Sequence, residues 1–84
     1  MKIKFYEDPG HGWGAVKRSL LIELGIADKI TQFSYQNGDT VYLEEDCDLG
    51  LFIDTLRSKG ESVDYKKRTY YNRCPIRSYE RYQA

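Results

Sequence analysis

The chain has 84 residues, with 13 Lys and Arg against 13 Asp and Glu, for a formal net charge of zero. That length predicts a single domain, residues 1–84, because domains rarely fall below ~50 residues. A chain this short buries only a little over ~60% of its unfolded surface, which excludes a catalytic cleft framed by two domains. A composition 40% hydrophobic and 31% charged belongs to a folded chain rather than a disordered one. No apolar run approaches the ~20 residues of a membrane span, and Met1-Lys2-Ile3-Lys4-Phe5 lacks the apolar region of a signal peptide. The expectation is a cytosolic protein with no membrane partner, whose Cys47 and Cys74 remain free thiols in a reducing compartment.

The zero is a cancellation. Residues 1–63 carry 7 Lys/Arg and 11 Asp/Glu, whereas residues 65–84 carry 6 Lys/Arg and 1 Glu. The basic segment 65–84 also holds Tyr65, Tyr70, Tyr71, Tyr79 and Tyr82 of the eight tyrosines in the chain.

In chain order, Ile3 and Phe5 alternate with Lys2, Lys4 and Tyr6, which predicts a strand with one buried face. Asp8-Pro9-Gly10 is a type II turn signal, with Pro at the second position and Gly at the third. Gly10-His11-Gly12-Trp13-Gly14 then runs into a short strand through Trp13, Ala15 and Val16. Ser19 is placed to cap a helix over residues 20–24, with Gly25 as its left-handed terminator. Residues 30–44 predict a β-hairpin around Asn37-Gly38. A two-residue Asn-Gly loop pairs Phe33 with Tyr42 and leaves neither face apolar. A three-residue loop, Gln36-Asn37-Gly38, pairs Phe33 with Val41 and Thr31 with Leu43, so that Phe33, Tyr35, Val41 and Leu43 share one face. Because a slip of one residue flips every side chain, the amphipathic pairing is the expected one.

Asp46 or Asp48 is placed to cap the clearest helix, in which Leu49, Phe52, Ile53 and Leu56 form one apolar stripe. Gly60 closes it. Val63 and Tyr65 open a further strand reaching about Tyr70, and Pro75 breaks any regular element around Cys74 and Ile76. Strands and helices mix without strict βαβ alternation. The predicted class is α+β, a small antiparallel sheet of about four to five strands with two helices packed on one face.

Four groups of residues invite a functional reading. Gly10–Gly14 is neither a P-loop nor a dinucleotide fingerprint. It reads first as a tight turn with close backbone approach, and second as a ligand or anion site formed by His11, Trp13, Lys17 and Arg18. His11 is the single histidine. It suits acid–base chemistry, but no sequence spacing gives it a partner, so no catalytic residue is assigned and an enzyme is disfavoured. The His and Cys positions lack metal-ligand spacing, and neither a metal nor a cofactor is expected. Glu44, Glu45, Asp46 and Asp48 form an acidic run between strand and helix. It reads as a solvated loop plus a cap, or as an acidic face for a partner.

The end of the chain interleaves cations and aromatics. Tyr70, Tyr71, Arg77 and Tyr79 suit a protein interface. Lys66, Lys67, Arg68, Arg73, Arg77 and Arg81, with the neighbouring tyrosines, suit a nucleic-acid-binding module. The acidic body argues against a general nucleic-acid binder, which is usually basic throughout.

Asp8-Pro9-Gly10-His11-Gly12-Trp13, Leu24-Gly25-Ile26-Ala27-Asp28-Lys29-Ile30, Phe33-Ser34-Tyr35, Tyr42-Leu43-Glu44-Glu45-Asp46-Cys47-Asp48 and Pro75-Ile76-Arg77-Ser78-Tyr79-Glu80-Arg81-Tyr82 together resemble a family of small proteins of bacteriophages, prophages and plasmids. The resemblance covers most of the chain and carries over no catalytic residue. It implies a phage or mobile-element setting in the bacterial host cytosol. It further implies a non-enzymatic protein that binds a host protein, in its sharpest form as a counter-defence inhibitor.

Overall fold

Ile3 and Phe5 are buried while Lys2 and Lys4 are exposed, so the period of two that marks the first strand is a real difference between its faces. The computed structural model describes residues 1–84 and shows an α+β fold. Six strands occur: β1 (Lys2–Glu7), β2 (Gly12–Lys17), β3 (Tyr35–Asn37), β4 (Thr40–Glu44), β5 (Asp64–Thr69) and β6 (Glu80–Arg81). Helix α1 (Arg18–Glu23) follows β2, and helix α2 (Asp48–Ser58) follows β4. Short 3₁₀ turns lie at Ala27–Lys29 and Pro75–Ser78. No helix is long and apolar enough to cross a membrane.

The strands form one sheet in the order β5-β1-β2-β4-β3-β6. This corrects the expected four to five antiparallel strands. The sheet has six strands and is mixed, because β5 runs parallel to β1, with Ile3 beside Tyr65 and Tyr6 beside Arg68. Alternation in a sequence does not encode strand direction. The additional strand β6 has only two residues, too few to show a period. It is specified by its partner β3, through the pairs Tyr35↔Arg81 and Gln36↔Glu80.

The hairpin also departs from expectation. Tyr35 pairs with Tyr42 and Asn37 with Thr40, so the loop is Gly38-Asp39 and there is no bulge. Gly38 has φ +60 and no non-glycine residue has a positive φ, the pattern of a type II′ turn with glycine first. The predicted pairing assumed one apolar face. In fact both faces are covered: Val41 and Leu43 face one cluster while Tyr35 faces another. The uncovered residue is Phe33, which is 66% exposed.

The larger cluster joins Ile3, Phe5, Val16, Val41 and Leu43 of the sheet with Leu21 of α1 and Leu49, Phe52 and Leu56 of α2. Glycine is needed on this face. A Cβ at Gly14 would stand 2.7 Å from a Leu49 methyl carbon and 3.0 Å from Ile3 Cδ1, and one at Gly12 would strike the Phe5 ring. The smaller cluster, on the opposite face, joins Trp13 and Tyr35 with Cys74 and Ile76.

Neither helix is capped as predicted. Lys17, not Ser19, is the N-cap of α1, and Cys47, not Asp46 or Asp48, is that of α2; neither makes a side-chain cap bond. Asp48 is instead buried at 1% exposure. Its carboxylate accepts from the Thr31 amide (3.1 Å), the Thr31 hydroxyl (2.7 Å) and the Ser34 hydroxyl (2.5 Å). The Ser34 oxygen in turn accepts from the Glu44 amide at 2.9 Å. The helix ends are as expected. Gly25 (φ +75) and Gly60 (φ +82) occupy the left-handed position. The next amide in each case, Ile26 or Glu61, reaches back to the carbonyl of Leu21 or Leu56, which is the Schellman arrangement.

Candidate binding cleft

The turn after β1 organises the site. The Asp8 side chain is 1% exposed, and its Oδ1 accepts from the amides of Gly10 and His11, each at 3.0 Å. Its Oδ2 accepts from the Cys74 amide at 3.0 Å. Arg77 adds two bonds, Nε to Oδ2 at 2.6 Å and Nη2 to Oδ1 at 2.8 Å. The Arg77 guanidinium is the main reason the Asp8 carboxyl lies far below its usual range, and the three amides act in the same direction against the cost of burial. The ion pair also holds Arg77 over the Trp13 ring, 5.3 Å from its centroid.

Trp13 meets Tyr35 edge-on at 6.1 Å and lies beside Glu44 in the β2–β4 ladder. Glu44 is 7% exposed. Its Oε2 accepts from the Asp46 amide at 3.1 Å, while Oε1 stands 3.8 Å from His11 Nδ1, beyond hydrogen-bond distance. Burial raises the Glu44 pKa above its usual value, opposed by the Asp46 amide. Ligand atoms of His11, Glu44 and Asp46 lie within 4.8 Å of one another. An imidazole with two carboxylates is a donor set compatible with a divalent cation. No sequence spacing exposes this group, because the β2–β4 pairing creates it.

These residues border a cleft of about 420 Å³, which Arg77, Arg81, Phe33 and Cys47 also line. Arg81 stacks over Tyr35 at 4.6 Å and donates to the Gln32 carbonyl at 3.2 Å. The cleft thus combines aromatic surface, two tethered arginines and a buried carboxylate. Cys47 is exposed and Cys74 buried, and both are free. Burial pushes the Cys74 thiol pKa up.

The predicted groups are regrouped by the fold. His11 and Trp13 line the cleft, but Lys17 and Arg18 do not. Lys17 sits at the far end of β2 opposite Thr40. Arg18 stacks on Tyr82 at 5.0 Å and donates to the Gln83 carbonyl at 2.8 Å. The acidic run is not one face, since Asp48 is an internal acceptor and only Glu45 and Asp46 are exposed. Of the aromatic end, Tyr71 is 87% exposed, Tyr70 and Tyr79 are half-buried, and Arg77 is bound to Asp8.

The six cations are not one surface either. Lys66, Lys67 and Arg68 alternate along β5, and Lys67 pairs with Glu7 at 3.5 Å. Arg73 donates to the Arg77 carbonyl at 3.3 Å, while Arg77 and Arg81 border the cleft. The sequence reading also missed Phe33, Tyr35 and Arg81 as cleft residues. Their sequence signals were those of core positions and of a basic tail, and only the β3–β6 pairing brings Tyr35 and Arg81 together. Compared with known proteins, the chain matches no family model, no curated protein and no solved structure.

Proposed function

We propose that the protein is a non-enzymatic binding protein acting on a host protein, and that the cleft at Glu44 receives a cationic side chain of that partner. One observation carries the reading: a carboxylate 7% exposed lines an open cleft with no protein donor on its Oε1. Partial burial disfavours the charged form of this carboxylate, and a cation entering the cleft would offset that. An arginine or lysine from a partner would supply both charge and donors, and the exposed Phe33 ring at the cleft rim offers it a π face. In this reading the two helices cover one sheet face and leave the opposite face for recognition. The resemblance to small phage and plasmid proteins supports the bacterial cytosol as the setting and a host defence component as the partner.

The test is affinity capture from bacterial host lysate with the wild-type chain and with Glu44→Gln, each checked for folding by circular dichroism. A specific partner should be held by the wild type, released by free arginine, and lost with Glu44→Gln. Equal capture by the two chains, or no specific partner, rejects the reading.

A further inference from the structure

Outside the cleft, the sheet carries a second surface of opposite sign. In register, Lys4 lies beside Ala15 on one side and Lys66 on the other, and Tyr6 lies beside Arg68. Ala15 continues to Tyr42, and Lys17 to Thr40. Residues paired in register share a sheet face, so these side chains all project away from the Ile3, Phe5, Val16 and Val41 cluster. The tail covers only the other half of this face. Tyr79 packs on Tyr42 at 5.2 Å and marks where that cover stops.

The uncovered half is a cationic groove with an aromatic floor. A depression of about 400 Å³ lies over Ala15, Tyr6 and Tyr42 and is bordered by Lys2, Lys4 and Lys17. A second, of about 210 Å³, lies between Lys4, Tyr6, Lys66 and Arg68. Lys4 and Tyr6 line both, so the two adjoin at these side chains. The ion pairs that lysines and arginines make are Arg57–Asp54, Lys67–Glu7 and Arg77–Asp8. None uses Lys2, Lys4, Lys17, Lys66 or Arg68. Asp64 stands beside Lys2 in register without closing an ion pair. Arg68 stacks on Tyr70 at 4.9 Å, and Tyr6 meets Tyr42 edge-on at 6.0 Å. The small Ala15 side chain lies in the floor of the depression beside Tyr6 and Tyr42.

We infer that this half of the sheet binds single-stranded nucleic acid, with phosphates on Lys4, Lys17, Lys66 and Arg68 and a base in the depression over Ala15, against the Tyr6 and Tyr42 rings. Cations follow a backbone, while ring faces accept any base. A shallow sheet face with half-buried tyrosines suits splayed single strands better than a duplex. An acidic peptide would use the cations but not the aromatic depression. Burial, reinforced by Tyr79 and Tyr6, pushes the Tyr42 pKa up to about 12, so its hydroxyl stays a neutral donor at physiological pH. This inference is independent of the cleft at Glu44.

The test is fluorescence polarisation with labelled oligo(dT) and oligo(U), against a duplex of the same length and polyglutamate. Single strands should bind. With four phosphates neutralised, affinity should fall about 50-fold between 50 and 200 mM salt. The exposed pair Lys4→Glu with Lys66→Glu should abolish binding, and Tyr42→Leu should weaken it about tenfold. Arg57→Glu, on α2, should leave it unchanged. Absent binding at 50 mM salt, equal binding of duplex or polyglutamate, or full binding by the Lys4→Glu, Lys66→Glu protein in its folded form would overturn the inference.

Discussion

Arg77 grips Asp8 at two points, Nε to Oδ2 at 2.6 Å and Nη2 to Oδ1 at 2.8 Å, across a sequence separation of 69 residues. The contact ties the basic tail to the first turn of the acidic body, so part of the zero net charge is neutralised within the molecule. It also places Cys74 and Ile76 against Trp13 and Tyr35. This pair and the apolar contacts of Cys74 and Ile76 together hold the cover on that half of the sheet face.

Arg77→Ala should therefore destabilise strongly. Removing one partner of a fully buried ion pair costs about 3–5 kcal/mol, and here the Asp8 side chain is buried while Arg77 keeps 27% exposure. The three amides that remain on Asp8 place the expected loss near the lower end, about 3 kcal/mol. Thermal and urea unfolding would measure it. Arg77→Lys should recover only part, because an ammonium cannot reproduce the two-point geometry.

The same pair sets an acid limit. The folded-state pKa of Asp8 lies below its ordinary 3.8, so the unfolded chain binds the proton more tightly. The stability this carboxylate contributes is fully present above that value and is lost as pH falls below it. Urea midpoints between pH 2 and 6 should fall on the acid side in the wild type, and the fall should be shallower in Arg77→Ala.

Glu44 has the opposite sign. Burial raises its folded-state pKa above the ordinary 4.5, so ionisation costs stability as pH rises past that value. Glu44→Gln keeps an acceptor for the Asp46 amide and removes the buried charge. It should stabilise the protein at pH 7 by ~0.5–1 kcal/mol while abolishing the proposed partner binding. A substitution that strengthens the fold and removes binding would mark Glu44 as functional rather than structural.

Glycine substitutions should separate close approach from helix propensity. Gly14→Ala drives a methyl group into Leu49 and Ile3 and should cost about 1–3 kcal/mol. Gly50 lies inside α2 with open space around a Cβ. Gly50→Ala should stabilise by roughly 0.5–1 kcal/mol.

The two thiols should differ in reactivity. Cys74 is 1% exposed with its pKa raised by burial, whereas Cys47 is exposed. A thiol reagent should label one cysteine quickly in the native protein and both after denaturation, and Cys47→Ser should remove the fast phase.

Local patterns were legible in the chain itself. The stripe of Leu49, Phe52, Ile53 and Leu56, the terminators Gly25 and Gly60, and the alternation of Ile3 and Phe5 each depend on neighbours within a few residues, and a short window contains all the physics. Register and face do not work that way. The hairpin slipped from its predicted pairing because a second cluster, recruited from residues 74–79, covers the face that was assumed to be wet. Asp48 resembled a cap, but the loop carrying Thr31 and Ser34 came within reach of its carboxylate.

Charge shows the same division. The sequence by itself determined how many charges there are, that they cancel, and that an acidic body precedes a basic end. Tertiary structure alone decided which charges meet. Arg77 is bound to Asp8 and Lys67 to Glu7, while Lys4 and Lys17, from the acidic body, join Lys66 and Arg68 on an open sheet face. The physical reason is distance: electrostatic pairing acts over a few ångströms in space, and only strand pairing brings residues tens of positions apart that close.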